Sequence, residues 1–478
     1  MPARILQLVP SSRPRGFYYC PTRAAFATWL VFALSRYLPE HPREVTWGKI
    51  HAGKERTDGL RIPVSRLTDT DKVCESAHES FKSYKKTSAR QRARWLRRWS
   101  DLCLKNIDDL ALILTLENGK AVAEARGEVT YAPSFLEWFA GEAERSHGEV
   151  VPAANTSRRI PTIKEPLGVA ACLASWNVPI AMITRKGGAA GCTAIWKPAG
   201  ETPMSALAQA VLAQQAGFPV GVINVVTTLD KAAEVGEALC KSRLVRNLSF
   251  TGSTSVEKLL VRQCASSLTK LSLELGGNST FIVFDDVKLG TAVEACMQAK
   301  TRNTGQTCAS ANRILVQDGI YDSFTEALVK RVKDIKVGLG TAEIMSMGPL
   351  THEHAKCSGA SVLLGGETCH PGGLPGYFFQ PTFLSNVSTD SLITHEEAFT
   401  PVFALYRFQT EEEAIDIVND CDVGLGSYVM TESVARIWRV AESLEVGMVA
   451  ESGYGLEGGR RGIDEYLTVK SILINIAD

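Results

Sequence analysis

One cysteine offers the most reactive chemistry in this 478-residue chain. Cys308 lies in Lys300–Asn312, KTRNTGQTCASAN, directly behind Gly305, Gln306 and Thr307. Small residues on both sides let a substrate carbon approach the sulfur, and Asn303, Gln306 and Thr307 are polar enough to orient it. A thiol is a strong nucleophile only as its thiolate, and a free cysteine titrates at about 8.5. Cys308 therefore needs a positive field or a base, and Arg302 and an upstream carboxylate are the candidates. Taken alone, a cysteine among small residues is more often a buried, inert thiol, so the rest of the chain has to decide.

The elements that would position it fall into two regimes. Before residue 150 the pattern is helical. Val73, Ala77, Phe81 and Tyr84 recur at helical spacing, and Ala89–Asn106 sets Arg90, Arg92, Arg94, Arg97 and Arg98 against Trp95, Leu96, Trp99 and Leu102. That basic run reads as a solvated helix face. Helices continue over Ile107–Glu117 and Lys120–Phe139. The period changes at Gly148–Ile163, where Val150, Val151, Ile160 and Ile163 flank a polar turn and suggest a hairpin arm.

From Gly168 apolar strands alternate with helices. Strands are expected at Val169–Ala174, Cys192–Trp196, Val222–Val226 and Leu244–Phe250, with helices at Ser205–Ala216, Lys231–Cys240 and from Ser255. This rhythm predicts a parallel sheet covered on both faces, whose ligands sit beyond the carboxyl ends of its strands. Asn177, Lys197, Gly252 and Ser253 fall at those ends and suit a nucleotide. Ser272–Gly277, SLELGG, is read as opening a second α/β region, with strands Phe281–Phe284, Arg313–Val316 and Val402–Phe408. Its helices are expected at Leu289–Arg302, Ile320–Lys336, Thr410–Asn419 and Thr431–Leu444; Lys356–Gly372 reads as irregular, and Leu467–Ile476 as a terminal strand. The expected division is a leader at 1–45, a dinucleotide-binding domain at 46–271, a catalytic domain at 272–445 and a C-terminal segment with an oligomerisation strand at 446–478.

Composition narrows the function. The formal net charge is zero, which argues against a nucleic-acid binder. The 12 cysteines form no C-x-x-C pair, so neither a zinc site nor a disulfide framework is expected, and a reducing compartment fits better. Met1–Pro39 carries Arg4, Arg13, Arg15, Arg23 and Arg36 with no acid, which resembles a mitochondrial transit peptide; a cytoplasmic location is the alternative. The apolar run Ala24–Leu34 is shorter than the roughly 20 residues that cross a bilayer.

SLELGG and NTGQTCASAN together resemble the aldehyde dehydrogenase superfamily. WNVP at Trp176–Pro179, KPA at Lys197–Ala199, FTGST at Phe250–Thr254 and EEAF at Glu396–Phe399 follow in the family's order, from about residue 70 to the end. ITRKGG at Ile183–Gly188, TRNTGQTC and GIDEYLTVK look like the succinate-semialdehyde dehydrogenases. The resemblance implies an α/β fold with a Rossmann-type nucleotide domain, an α/β catalytic domain and a small oligomerisation arm. It implies that Cys308 forms a thiohemiacetal and then a thioester, that Asn177 holds the oxyanion, and that Glu274 activates the hydrolytic water. NAD or NADP would be bound by Trp176, Lys197, Gly252, Ser253, Glu397 and Phe399. Arg185 and Arg302 would hold the distal carboxylate of a small aldehyde. No metal and no membrane partner are implied, and a homo-oligomer, dimer or tetramer, is.

The chain also departs from the family pattern. Gly200 replaces the acid after KPA, which removes repulsion against a 2′-phosphate; Glu257 and Thr400 replace glycines, and Ser310 stands where a second cysteine is common. The segments at 185–192, 351–365 and after Met448 are shortened, so core surface is expected to be uncovered. Three readings stand: an active semialdehyde dehydrogenase, an aldehyde dehydrogenase of broader range, or a degraded relative that keeps the signature residues without turnover.

Overall fold

The computed structural model describes residues 67–186, 190–352, 361–447, 455 and 459–476. The expected leader and the turn-rich stretch up to residue 66 lie outside the described residues, as do the shortened segments at 187–189, 353–360 and 448–454.

Four helices come first: α1 (Leu67–Tyr84), α2 (Ala89–Lys105), α3 (Ile107–Asn118) and α4 (Val122–Arg145). The Ser88 hydroxyl starts α2 by accepting the Gln91 N–H, and Ala93, Leu96, Trp99, Leu102 and Cys103 bury one face at helical spacing. Helix α3 stops at Gly119, whose φ of 90° no β-carbon tolerates well and where one would lie 2.9 Å from Pro349. Helix α4 buries Glu128 among Ala125, Val129 and Ala132, with Glu124 half-buried one turn before it. The chain then forms the expected hairpin arm, β1 (Val150–Val151) against β2 (Arg158–Pro166).

The first sheet is parallel throughout. Its strands and helices run β3 (Val169–Leu173), α5 (Pro179–Thr184), β4 (Thr193–Lys197), α6 (Pro203–Ala216), β5 (Ile223–Val225), α7 (Ala232–Lys241), β6 (Val245–Thr251), α8 (Thr254–Cys264) and β7 (Lys270–Glu274). The order across the sheet is β5-β4-β3-β6-β7. β3 and β4 are buried along their whole length, as a sheet covered on both faces requires. Chain direction across the sheet reverses at β3, which makes the carboxyl ends of β3 and β6 the ligand-binding edge. One expectation is corrected here. SLELGG does not open the second region: β7 hydrogen-bonds to β6 in register Asn247–Lys270 to Thr251–Glu274, and belongs to the first sheet.

The second sheet has the order β10-β13-β14-β9-β8-β15. It contains β8 (Thr280–Val283), α9 (Leu289–Thr301), β9 (Arg313–Gln317), α10 (Asp318–Lys333), β10 (Ser361–Leu364), β13 (Thr382–Ser385), β14 (Val402–Phe408), α11 (Glu411–Asn419), β15 (Ser427–Met430) and α12 (Val434–Ser443). A small ribbon, β11 (Thr368–Cys369) with β12 (Phe378–Phe379), stands apart; the stretch read as irregular, Lys356–Gly372, holds β10 and β11. β10 is antiparallel to its neighbour and the other pairs are parallel. Arg313 at the foot of β9 is buried, yet Asn278, Ile417 and Val418 each offer it a carbonyl. The tail forms β16 (Leu467–Ser471) and β17 (Ile474–Asn475), both paired with β2 of the same chain.

Between the first sheet and the helices a cavity of about 10 Å³, room for about one water, is lined by Trp99, Leu136, Phe139, Lys186, Cys192 and Trp196. Lys186 is buried there and donates to the hydroxyls of Ser249 and Thr251. Among the described residues no helix is long and apolar enough to cross a membrane.

Candidate active site

The site lies where the carboxyl ends of the first sheet meet the amino ends of the second. Asn177 follows β3, Lys197 ends β4, Gly252 follows β6 and Glu274 ends β7; the Cys308 loop leads into β9, and Glu397 and Phe399 precede β14.

The cysteine loop is shaped by an unusual backbone. Asn303, Thr304 and Gly305 take successive φ values of 46°, 60° and 76°. Two non-glycine residues in the left-handed region persist only when their surroundings hold them. Here the Glu124 carboxylate accepts the Asn303 N–H, Asn303 Nδ2 donates to Asn177 O, and Thr304 Oγ1 donates to Gly348 O. Gly305 has no alternative, because a β-carbon would stand 2.2 Å from Thr400 O. Gln306 then ties the loop to Thr351, accepting its N–H at 2.9 Å.

Asn177 is buried. Its Oδ1 accepts the Ser175 hydroxyl at 2.7 Å and its Nδ2 donates to Gln306 O at 3.1 Å. An amide nitrogen has two hydrogens, so one remains to meet an oxyanion formed beside Cys308. Its backbone is fixed from below. Lys120 Nζ donates to Asn177 O at 2.7 Å and to Glu128 Oε2 at 2.6 Å, with side chains only 2% and 4% exposed. Glu128 Oε1 in turn accepts the N–H groups of Ile180 and Ala181, which start α5. One buried ion pair thus orients the oxyanion donor and the short helix that carries Arg185 at its end.

Cys308 is partly exposed. Burial first, then the Glu274 charge, pushes its thiol up to about 12; the Arg185 guanidinium works the other way, and Glu397 adds to the rise. In this state the sulfur is a thiol and requires a base. Glu274, Arg185 and Glu397 are all near enough to act on it electrostatically, so the structure brings together a thiol and acids that lie up to 89 residues away in sequence. Glu274 itself is paired: Arg185 Nη2 donates to its Oε2. Arg185, expected to hold a substrate carboxylate, is paired here with the carboxylate expected to activate water. Arg302 is exposed and makes no hydrogen bond or ion pair among the described residues. It lies within electrostatic reach of Glu124 and of Tyr428, whose hydroxyl donates to Ala309 O beside the nucleophile.

The cofactor residues gather on the other side. Phe399, with a φ of 48°, and Trp176 meet edge to face, ring centroids 5.6 Å apart. Gly276 has no side chain, and a β-carbon there would sit 2.5 Å from Glu397 Oε2; Glu397 is raised to about 7 by burial, against the Gly277 N–H. Lys197 is buried, which lowers its pKa, and donates to Pro198 O at 3.2 Å. Its ammonium has three hydrogens, leaving donors for ribose hydroxyls. Ser253 stands before α8 without capping it through its side chain, so that helix N-terminus can take an anion. The donor set therefore fits a nicotinamide dinucleotide. Gly252 is pinned, its N–H donating to Glu274 O, which links the turn before α8 to the end of β7. Glu257, one turn into α8, is buried in the helix's first turn.

Gly200 is not an empty seat for an acid. A β-carbon there would lie 2.4 Å from Leu229 Cδ1 and 2.9 Å from Leu229 Cα. Gly200→Glu alone is thus expected to lower stability by about 1–3 kcal/mol by overpacking. It should leave the NAD to NADP ratio of kcat/KM unchanged, whereas the double variant with Leu229→Ala should shift that ratio towards NAD. Urea unfolding and initial rates with each nucleotide check both halves.

Lys120, Glu124, Glu128, Ser175 and Tyr428 were not singled out in the sequence. The available signal was Glu124 and Glu128, two acids one helical turn apart on a face otherwise made of alanines and Val129. Charged side chains are seldom placed on a buried face without a partner.

The thiol of Cys308, the Glu274 carboxylate and the buried amide of Asn177, gathered beside a dinucleotide edge, are the groups that a cysteine-dependent oxidoreductase of aldehydes would use. The chain belongs to the aldehyde dehydrogenase family, whose model matches residues 54–472. It is 45% identical over 435 residues to a mitochondrial succinate-semialdehyde dehydrogenase of Oryza sativa, covering 84% of this chain and 82% of that protein. It is 44% identical over 446 residues to a glutarate-semialdehyde dehydrogenase of Pseudomonas putida, covering 87% and 92%. The crystal structure of succinate-semialdehyde dehydrogenase from Burkholderia pseudomallei superposes with a TM-score of 0.83 at 42% identity, over 87% of this chain and 91% of that one. The protein is an aldehyde dehydrogenase that uses NAD or NADP.

Proposed function

We propose that the chain oxidises succinate semialdehyde to succinate. The observation that carries this is the pair of guanidinium groups at the cysteine: Arg302 exposed beside the loop, and Arg185 inside the site against Glu274. Two arginines suit a small aldehyde whose far end is a carboxylate, which a guanidinium pairs with through two parallel hydrogen bonds.

The residues divide the work. Cys308 gives its proton to solvent as its Sγ bonds to the aldehyde carbon, and the second N–H of Asn177 meets the oxygen as it becomes negative. Bound nicotinamide supplies the acceptor for the hydride that leaves this carbon. The carbon is then a thioester on Cys308. Glu274 takes a proton from water, the water oxygen bonds to the carbonyl carbon, and the sulfur leaves. Lys120 and Glu128 hold Asn177 in place throughout.

The test follows reduced nicotinamide at 340 nm with succinate semialdehyde and with butanal. Succinate semialdehyde is expected to have the larger kcat/KM, and Arg302→Gln to raise its KM about 10–100-fold while leaving that of butanal alone. Equal efficiency for the two aldehydes in the wild type would remove the carboxylate preference and favour a broader range.

Two finer readings go with this. The arm leaves Val150, Val151, Val469, Leu473, Ile474 and Ile476 exposed on one small sheet, which supports association with further copies of the chain. The arginine-bearing, acid-free leader and the mitochondrial name of the Oryza relative support a mitochondrial location.

A further inference from the structure

We infer that the substrate's own carboxylate releases the general base. Arg185 holds Glu274 in the resting site, and a bound carboxylate draws the guanidinium away. This rests on the substrate reading above.

The geometry points to it in three ways. The pair is internal: the side chains of Arg185 and Glu274 are 13% and 21% exposed, and Arg185 Nη2 donates directly to Glu274 Oε2. The guanidinium is also packed, lying 5.8 Å from the centre of the Phe135 ring and 3.4 Å from Met182 Sδ. It is thus held near the nucleophile by contacts that do not depend on Glu274. And Arg302 stands outside the pair, exposed, with no hydrogen bond or ion pair among the described residues. An aldehyde bonded at Cys308 carries its carboxylate only three carbons away, which brings a second anion to the Arg185 guanidinium that acts on the same sulfur and already serves Glu274.

A carboxylate that accepts a charge-assisted hydrogen bond is a poor proton acceptor, because the bond favours its ionised form. While Arg185 holds it, Glu274 activates water slowly. When the substrate carboxylate takes over the guanidinium, Glu274 is freed at the stage that needs it. One proton passes from water to Glu274 and the water oxygen bonds to the acyl carbon. The carbon–sulfur bond then breaks with its electron pair on Cys308, the acid leaves, and the proton on Glu274 returns to the sulfur or to solvent. No electrons are gained or lost in this step. A neutral aldehyde has nothing to displace Arg185, so it acylates Cys308 and then waits. Discrimination accordingly falls on deacylation, in addition to any effect on binding.

The experiment is stopped-flow on the full chain with saturating NAD. With butanal, the wild type should release a burst of about one reduced nicotinamide per site, followed by turnover about 10–100-fold slower than with succinate semialdehyde, which should show little burst. Ethanal with added acetate, together matching the natural substrate, should turn over faster than ethanal alone. Arg185→Gln should speed butanal turnover, shrink its burst and raise KM for succinate semialdehyde. No butanal burst in the wild type, or no acceleration by acetate, overturns the release step; both need no variant. A raised KM in Arg185→Gln with unchanged butanal turnover also overturns release while leaving the substrate reading intact. Unchanged KM for succinate semialdehyde in both Arg185→Gln and Arg302→Gln overturns the substrate reading itself.

Discussion

Replacing Glu274 by Gln is expected to give a protein that oxidises about one aldehyde per site and then stalls. Glutamine keeps the size of the side chain and a carbonyl oxygen for Arg185, so the acylating half of the site is retained. It cannot accept a proton from water, and loss of a positioned base costs about 10²–10⁴-fold in rate. The measurement is a rapid burst of reduced nicotinamide followed by a steady state lower by that factor. A second readout separates this from collapse of the site. The Glu274 charge is among the causes that hold the Cys308 thiol up near about 12, while Arg185 opposes it. Removing the acid lowers the thiol pKa, so the thiolate fraction at fixed pH increases and alkylation by iodoacetamide should quicken. Slower alkylation would mean that Glu274 deprotonates Cys308 even in the resting enzyme. Loss of the burst would show that it is needed before the thioester forms.

Lys120→Met has the other large expected effect, on stability and turnover together. Lys120 is the partner of Glu128 and a donor to Asn177 O, within an interior where neither charge meets water. Breaking one side of a buried pair costs about 3–5 kcal/mol, against a total stability of about 5–15 kcal/mol. Released from below, Asn177 no longer aims its free N–H, and kcat should fall towards the 10²–10³-fold that losing one oxyanion donor costs, about 2.7–4 kcal/mol. The double variant Lys120→Met, Glu128→Gln separates the two roles. It leaves no buried unpaired charge, so urea unfolding should recover most of the stability. Asn177 O still lacks its lysine, so kcat should stay low. Recovery of both together would reduce the pair to a purely structural role, and wild-type behaviour of Lys120→Met would deny it any.

Cys308, Glu274 and Asn177 were legible because each sits in a local string whose composition suits its chemistry, and strands such as Val402–Phe408 because seven largely apolar residues in a row have few other uses. Thr382–Ser385 and Ser427–Met430 were missed. Each has four residues and no period to read, and each is a strand only because β14 or β8 offers it a ladder. SLELGG was placed on the wrong sheet for the same reason: nearness to Phe281 along the chain says nothing of its pairing with β6. The state of Arg185 was illegible, because its partner lies 89 residues away and a sequence does not say whether a cation is waiting or engaged. Lys120 was hidden at the head of Lys120–Phe139, a stretch that reads as helical packing material, whereas it lies in the connection between α3 and α4.

The arm has a consequence for how the molecule is made. β2 finds its partners β16 and β17 only near residues 467–475, and Lys164 meets Asp464 at 2.6 Å, 300 positions further along the chain. During translation β2 therefore emerges long before anything can cover that side of it, and closing so wide a loop is slow. An open strand edge is a template for unwanted pairing. A message cut short before residue 467 would yield a polypeptide with its nucleotide sheet and cysteine already synthesised and a sticky ribbon it has no means to seal, so premature stops there should produce aggregates rather than a weakened enzyme.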